Sequence, residues 1–309
     1  MTIRLALIGF GKIAHDQHLP VIQSNPAFEL VATISKHGEG VDGTPHFTDL
    51  TDLIASGLAV DAVSVCTPPQ VRRVVALQAI AQGWHVFLEK PPASTLAEVE
   101  LLRIAAEEGG VSLFASWHSR YAPAVEPARR WLADREIRAV TVTWREDVRV
   151  WHPGQQWIWQ PGGFGVFDPG INALSIITHI LPHPLVVEQA DLDVPHNLAA
   201  PIAARVSLRD TAGMPVAMDL DFRQEGPQSW DIAVETDAGT LMLSKGGDEL
   251  AGADITLPDA AAHTEYAALY ARFADLVRSG ASDVDVTPLR LVADAFLCGR
   301  HNRVDPFIE

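Results

Sequence analysis

Cysteine, basic residues and long apolar runs are all scarce in this sequence of 309 residues. Two cysteines, Cys66 and Cys298, are too few for a disulfide framework and fit a reducing compartment. Lysine and arginine number 23 against 39 aspartates and glutamates, and this net charge of −16 disfavours nucleic acid and anionic membrane surfaces as partners. No apolar run reaches about eighteen residues, so we expect no membrane span. The first ten residues lack a signal-peptide pattern, and we expect a cytoplasmic protein.

What remains is an ordinary globular composition, with 48% hydrophobic and 20% charged residues. A chain of this length exceeds what one hydrophobic core usually serves, so two domains are expected. In the first 120 residues, short apolar runs alternate with segments of helical length, of which one has Ser94 or Thr95 placed to cap it and Glu98 in its first turn. This alternation predicts an N-terminal Rossmann domain over 1–120, with a doubly wound parallel sheet whose strands lie at 3–9, 29–35, 61–66, 85–89 and 111–116.

The pattern changes beyond residue 120. A hairpin signal, Asp237-Ala238-Gly239, separates two strand-like runs, and one helix is expected at 170–181. We predict a C-terminal α+β domain over 121–309 with an open, mainly antiparallel sheet. The closing helix at 287–300 is expected to pack back on the first domain. The predicted strands of this domain are 137–146, 201–210, 215–223, 230–236 and 240–245.

The first predicted strand runs directly into a G-x-G-x-x-A turn that opens a helix, Gly9-Phe10-Gly11-Lys12-Ile13-Ala14. In dinucleotide-binding folds the first glycine permits the tight turn, the second lets a pyrophosphate approach, and the small third residue packs helix on strand. The helix amides then face the phosphates. The alternative is a merely structural turn, but the strand–turn–helix context favours a dinucleotide site.

The end of the second strand indicates which dinucleotide is bound. Sites for NAD usually place a carboxylate there to hold the ribose 2′-hydroxyl. This strand instead ends in Ser35-Lys36-His37, which offers a hydroxyl and a cation to a 2′-phosphate. NADP is therefore the predicted cofactor, with NAD as the weaker alternative. If Lys36 is simply solvated, both would be used about equally.

Two further turns lie at the carboxyl edge of the predicted sheet, where ligands bind in such folds. They are Cys66-Thr67-Pro68-Pro69 and Glu89-Lys90-Pro91-Pro92. A lysine held between a glutamate and two prolines is stiffly placed, which favours a functional role. The residues predicted to contact the cofactor are Gly9, Gly11, Lys12, Ile13, Ser35, Lys36, His37, Cys66, Thr67, Pro68, Glu89 and Lys90.

With these three turns the whole chain resembles the glucose–fructose oxidoreductase/inositol dehydrogenase (Gfo/Idh/MocA) family. The segments 144–148, 151–159 and 165–174 resemble in particular its bacterial L-arabinose/D-galactose 1-dehydrogenases. The resemblance implies oxidation of the anomeric carbon of an aldose to the lactone with NADP or NAD. It also implies a possible homodimer through the open sheet.

The catalytic residues predicted are Lys90, Asp168 and Asn172. Many family members carry Asp and His four residues apart on this helix, whereas here the pair is Asp168 and Asn172. Because asparagine cannot titrate, the base that takes the proton is either Lys90 or Asp168. A carboxylate and an amide on one helical face also suit the vicinal hydroxyls of a polyol.

Four of the eight tryptophans fall between Trp144 and Trp159, a concentration typical of a carbohydrate site. The alternative is that these tryptophans are core residues and that Glu146 ends a solvated strand. No histidine or cysteine spacing indicates a metal site. The residues predicted to contact the sugar are Glu146, Trp151, His152, His118 and Trp230.

Two other functions are compatible with these patterns. One is another NADP oxidoreductase of the same family that acts on an inositol, a dihydrodiol or a different sugar. The other is a non-catalytic dinucleotide sensor, which would need neither Lys90 nor Asp168.

Overall fold

The computed structural model describes residues 2–36, 40–255, 257 and 264–309, and the chain forms two compact units. The first unit comprises Met1–Trp117 and Tyr266–Val286, and the second comprises His118–Glu265 and Thr287–Glu309. Among the described residues, no helix is long and apolar enough to cross a membrane.

The first unit contains a six-stranded sheet in which all strand pairs are parallel, as the apolar runs predict. Its first strand is buried on both faces, since Leu5, Ala6 and Leu7 are all inaccessible to solvent. The strands are β1 (Ile3–Ile8), β2 (Phe28–Ile34), β3 (His46–Phe47), β4 (Ala62–Val65), β5 (His85–Leu88) and β6 (Leu113–Ala115). Their order is β3-β2-β1-β4-β5-β6, so the direction of winding reverses between β1 and β4, where ligands bind in doubly wound sheets.

Helices connect these strands. Thr95 caps the fourth helix by accepting a hydrogen bond from the Glu98 amide at 3.2 Å, as the sequence indicates. The helix after the glycine turn contains a five-residue π-helical segment, Ala14–His18. The helices are α1 (Leu19–Ser24), α2 (Leu50–Ser56), α3 (Pro69–Ala81) and α4 (Leu96–Gly109).

The second unit contains an eight-stranded mixed sheet, mainly antiparallel as predicted. The Asp237-Ala238 hairpin is confirmed, because Thr236 pairs with Gly239 across a two-residue turn. Three strands at 185–195, 249–251 and 300–304 are absent from the sequence prediction. The strands are β7 (Ile137–Arg145), β8 (Leu185–Pro195), β9 (Ala203–Asp210), β10 (Pro215–Asp221), β11 (Ser229–Thr236), β12 (Gly239–Ser244), β13 (Glu249–Ala251) and β14 (Arg300–Val304). Their order is β13-β12-β11-β7-β10-β9-β8-β14.

Three helices of the second unit are α5 (Val125–Leu132), α6 (Val148–Trp151) and α7 (Phe167–Ile180). The last begins three residues before the predicted start at Gly170, because Pro169 fits the first turn of a helix. Its glycine packs closely on the sheet: a Cβ at Gly170 would lie 2.7 Å from Leu220 Cδ1. Because α7 begins at Phe167, Asp168 lies in its first turn.

Two helices close the chain, α8 (Glu265–Ser279) and α9 (Thr287–Cys298). The second of them corresponds to the helix predicted at 287–300, and within the second unit it contacts β8 and α7. The residues from Tyr266 to Val286, with most of α8, belong to the first unit, although the sequence places them in the second domain. Phe273 of α8 stacks there on Phe28 with ring centroids 6.2 Å apart.

Candidate active site

The carboxyl ends of β1, β2, β4 and β5 bring the predicted cofactor residues of the first unit to one edge of the sheet. Backbone hydrogen bonds join these strand ends: Gly9 donates to the carbonyl of Ile34 at 2.8 Å, and Cys66 donates to that of Ile8 at 2.7 Å. Glu89 continues the series by donating to the carbonyl of Val65 at 3.2 Å. The three turns recognised in the sequence therefore lie on neighbouring strands.

The two glycines of the turn differ in their surroundings. Gly9 has a φ of +84°, and a Cβ there would lie 2.7 Å from the Thr67 nitrogen. The turn thus touches the β4–α3 connection so closely that only glycine fits. A Cβ at Gly11 would meet nothing within 4 Å among the described residues. Ala14 is fully buried, as a helix packed against the first strand requires.

These features fit a dinucleotide. The space beside Gly11 suits the close approach of a pyrophosphate to backbone, and helix residues follow directly. The Thr67 hydroxyl is buried and has no hydrogen-bond partner among the described residues, so it can still pair with a bound group. Of the other predicted contacts, Lys12 and Ile13 are exposed, and the Lys12 ammonium pairs with Asp16.

At the end of β2, Ser35 is half-buried and Lys36 is exposed. The Ser35 amide donates to the carbonyl of Phe47 at 3.0 Å, which fixes the backbone where a ribose is expected. His37, predicted to contact the cofactor, lies outside the described residues. No carboxylate occurs at positions 34–36.

The Glu89-Lys90-Pro91 turn places its two charged residues differently. Lys90 is half-buried, and its peptide bond to Pro91 is cis. Glu89 is only 4% exposed, and its carboxylate accepts hydrogen bonds from protein groups, including the Lys90 amide at 2.8 Å. The sequence predicts Glu89 as a cofactor contact, whereas the structure places its carboxylate in the interior.

In the second unit, the predicted sugar-contacting residues gather around Glu146, the residue after β7. Glu146 is 2% exposed, and its carboxylate accepts hydrogen bonds from Trp230 Nε1 at 2.7 Å and from His152 Nε2 at 2.9 Å. Trp151 lies against Trp230 with ring centroids 4.6 Å apart, and it is 40% exposed. Four of the five predicted residues therefore form one cluster. A carboxylate with aromatic neighbours can bind sugar hydroxyls while rings cover the apolar face.

Asp168 joins this cluster from α7. Its Oδ2 lies 3.9 Å from His152 Nδ1, so the imidazole stands between the carboxylates of Asp168 and Glu146. Asp168 is 3% exposed and lies in the first turn of α7. Asn172 follows one turn later on α7 and is half-buried.

The remaining candidates lie elsewhere. His118 Nδ1 pairs with Glu265 Oε2 at 2.6 Å, outside the cluster around Glu146. Trp159 is 3% exposed and packs edge-on against Phe222 at 5.6 Å, so it is a core residue. The tryptophan-rich segment thus divides between core and candidate site. Among the described residues, no three His, Cys, Asp or Glu side chains are grouped so that they could hold a metal ion.

Several buried polar residues of the first unit carry no sequence signal of their function. Tyr266 and Tyr270 on α8 both reach the interior beside His18. Burial alone would lower the pKa of His18, but the neighbouring Cys66, Tyr270 and Glu89 raise it well above its ordinary value. For Tyr270, in contrast, burial itself raises the pKa of the hydroxyl, to about 12.

Similarity to known proteins extends over the whole chain. A family model described as an oxidoreductase family with an NAD-binding Rossmann fold matches residues 3–116. The galactose 1-dehydrogenase of Pseudomonas fluorescens is 47% identical over 307 residues, which cover 99% of each chain. The crystal structure of D-galactose-1-dehydrogenase from Rhizobium etli, 53% identical, superimposes with a TM-score of 0.94 and covers 99% of this chain and 98% of that chain. A 3-ketoreductase from Actinomadura kijaniata, solved with NADP, shares the fold with a TM-score of 0.82, at 20% identity and with 98% and 100% of the two chains covered.

Proposed function

We propose, because the chain belongs to the Gfo/Idh/MocA family of oxidoreductases, that it is an aldose 1-dehydrogenase. It oxidises C1 of D-galactose, L-arabinose or both to the lactone. The observation that carries the proposal is the buried Glu146 carboxylate held by Trp230 and His152, with Asp168 next to the same histidine. Full-length similarity to two proteins named galactose 1-dehydrogenase supports it.

The cofactor proposed is NADP, with NAD as the weaker alternative. Support comes from Ser35 and Lys36 at the end of β2, since positions 34–36 hold no carboxylate that would repel a 2′-phosphate. When bound, the nicotinamide ring supplies the redox chemistry by accepting a hydride. The protein supplies the cradle for the pyrophosphate, at Gly11, and the groups that orient the sugar and move its proton.

Asp168 takes the proton of the C1 hydroxyl in this proposal. Of the two candidates, Asp168 is the one with a histidine beside it, since its Oδ2 lies 3.9 Å from His152 Nδ1. The Lys90 side chain polarises the C1 oxygen as the carbonyl forms. Asn172 donates and accepts hydrogen bonds at neighbouring hydroxyls.

Arabinose and galactose share their ring stereochemistry and differ by an exocyclic hydroxymethyl group. The cluster around Glu146 binds the part of the ring that both sugars have in common, so both sugars are proposed as substrates. Which is preferred depends on the room beside C5.

We also propose a homodimer through the exposed face of the second sheet. Thr141, Ala217 and Ser207 are aligned across β7, β10 and β9, and all three are exposed and small. A row of short side chains permits close face-to-face packing of two sheets. Light scattering after gel filtration tests this, and a monomer at micromolar concentration contradicts it.

The function is tested by steady-state reduction of NADP and NAD with arabinose, galactose, fucose, xylose, glucose and a set of cyclitols. We expect turnover with galactose or arabinose and a preference for NADP. Lys90→Met and Asp168→Asn should each lower kcat by about 100-fold or more. Turnover only with cyclitols, or mild effects of both substitutions, would overturn the proposal.

A further inference from the structure

Five buried polar side chains of the first unit form a continuous chain of hydrogen bonds that ends at the backbone of Lys90. Glu89 lies at its centre: Oε1 accepts from His18 Nε2 at 2.9 Å and from the Tyr266 hydroxyl at 2.7 Å, and Oε2 accepts from the Lys90 amide at 2.8 Å. The chain continues from His18 Nδ1 to the Tyr270 hydroxyl at 2.7 Å, and from there to Ser64 Oγ at 2.8 Å. None of these five residues is more than 4% exposed.

Such a network is costly to bury, since each polar group gives up water. Most buried side chains of this sheet are apolar, and Val63, Val65 and Leu88 are completely buried. A carboxylate and an imidazole are therefore unusual here. Their joint presence directly behind Lys90 indicates that they serve the lysine.

A second set of contacts fixes the same turn. The guanidinium of Arg72, only 3% exposed, donates to the carbonyls of Thr67, Glu89 and Pro91. The carbonyls of the residues before and after Lys90 are thus held by Arg72 of α3, and the Lys90 amide is held by Glu89. The backbone that carries the Lys90 side chain has little freedom.

We infer that Glu89 and His18 are positioning residues that fix the backbone of Lys90, so that its ammonium is presented to the sugar in a single orientation. This inference rests on the proposed function, in which Lys90 acts at C1. Tyr266 completes the device by holding the Glu89 carboxylate from α8.

The protonation of His18 follows from its neighbours. It faces the Glu89 carboxylate from β5, the hydroxyls of Tyr266 and Tyr270 from α8, and the Cys66 thiol from the end of β4. These groups raise the pKa of His18 well above its ordinary value despite burial, which favours a charged imidazole beside the Glu89 carboxylate. In Glu89→Gln the carboxylate charge is lost and this pKa falls. At high pH His18 is neutral, and its Nε2 can then accept a hydrogen bond from the carboxamide nitrogen of the substituted side chain. The hydrogen bond between positions 18 and 89 is thereby restored.

The test compares Glu89→Gln and Tyr266→Phe with the matched control Asp210→Asn. Asp210 is another buried carboxylate, which accepts from the amides of Ala212 and Met214 in a turn of the second unit. We expect kcat to fall about 10- to 100-fold in Glu89→Gln, because misplacing a catalytic group by about 1 Å costs about that much. The Kd of the dinucleotide and the KM of the sugar should change less than about threefold. The control should keep its kcat.

The pH profile separates positioning from a loss of stability. The ratio of Glu89→Gln to wild-type kcat should rise with pH as His18 loses its proton, whereas a merely structural defect leaves the ratio constant. A constant ratio, or a wild-type kcat in Glu89→Gln, would overturn the inference.

Hydrogen exchange of the Lys90 amide provides a readout that needs no turnover. Exchange should be faster in Glu89→Gln and in Glu89→Ala than in the wild type, and unaltered in Asp210→Asn. Unchanged protection of Lys90 overturns the inference even if the enzyme acts as proposed. Conversely, full activity of Lys90→Met overturns the role of lysine in the proposed function and leaves the exchange result intact.

Discussion

Replacing Gly9 with alanine should destabilise the protein even without a dinucleotide. The backbone at Gly9 is left-handed, with a φ of +84°, which costs a residue with a side chain about 1–2 kcal/mol. The new Cβ would also lie 2.7 Å from the Thr67 nitrogen and 2.9 Å from the Cys66 carbonyl carbon. Overpacking of this kind costs about 1–3 kcal/mol, so the free energy of unfolding should fall by about 2–5 kcal/mol in all.

Gly11→Ala is the matched substitution in the same turn. Its Cβ would meet no described atom within 4 Å, so the free energy of unfolding should stay within about 0.5 kcal/mol of the wild type. That Cβ occupies the space assigned to the pyrophosphate, and the dinucleotide Kd should rise about tenfold or more, or about 1.4 kcal/mol.

The assays are urea unfolding followed by tryptophan fluorescence, without cofactor, and titration with NADP and NAD. Unfolding of Gly9→Ala at the wild-type urea concentration would show that the turn tolerates a Cβ. Binding of both dinucleotides to Gly11→Ala as tightly as to the wild type would show that no pyrophosphate lies beside that residue.

Three further predictions concern the cofactor, the sugar and pH. Lys36→Ala should lower kcat/KM for NADP about tenfold and leave that for NAD unchanged, since only NADP carries the 2′-phosphate; steady-state kinetics with both cofactors decides this. Trp230→Phe leaves the buried Glu146 Oε2 without its indole donor, at a cost of about 1–3 kcal/mol. The KM for the sugar should therefore rise, with a smaller change in kcat. Trp131→Phe, on α5, is the control. The pKa of Tyr270 is raised to about 12, so the folded protein keeps a proton that the unfolded chain releases near pH 10. Its stability is intact below pH 10 and falls as the pH rises to 12, by up to about 3 kcal/mol, and denaturant titrations of Tyr270→Phe should lack this loss.

Local chemistry in the sequence predicts one half of the candidate site well. Gly9, Cys66 and Lys90 each follow an apolar run, and a parallel sheet necessarily brings the ends of such runs to one edge. The strand order that makes β1, β4 and β5 neighbours agrees with this expectation. The same holds for Asp168, because a helix pattern places it near an N-terminus.

Long-range pairing explains what the sequence cannot predict. His18 and Tyr270 are 252 positions apart, and nothing in the period of either helix indicates that they meet. Similarly, both α8 and α9 have an apolar face, and the aromatic contacts of Phe273 with Phe28 and Phe114 in the first unit join residues far apart in the sequence. The burial of Glu89 cannot be predicted for a related reason. A glutamate at the end of a strand is expected to be accessible to solvent unless its buried partners are known.

The central claim is that hydride leaves C1 of an aldose for the nicotinamide. The most direct measurement is to incubate the protein with [1-²H]-D-galactose and oxidised NADP, and then to analyse the reduced cofactor by mass spectrometry. We expect one deuterium per reduced nicotinamide, together with galactonolactone as the product. Reduced cofactor without deuterium, or no reduction with either [1-²H]-galactose or [1-²H]-arabinose, would contradict it.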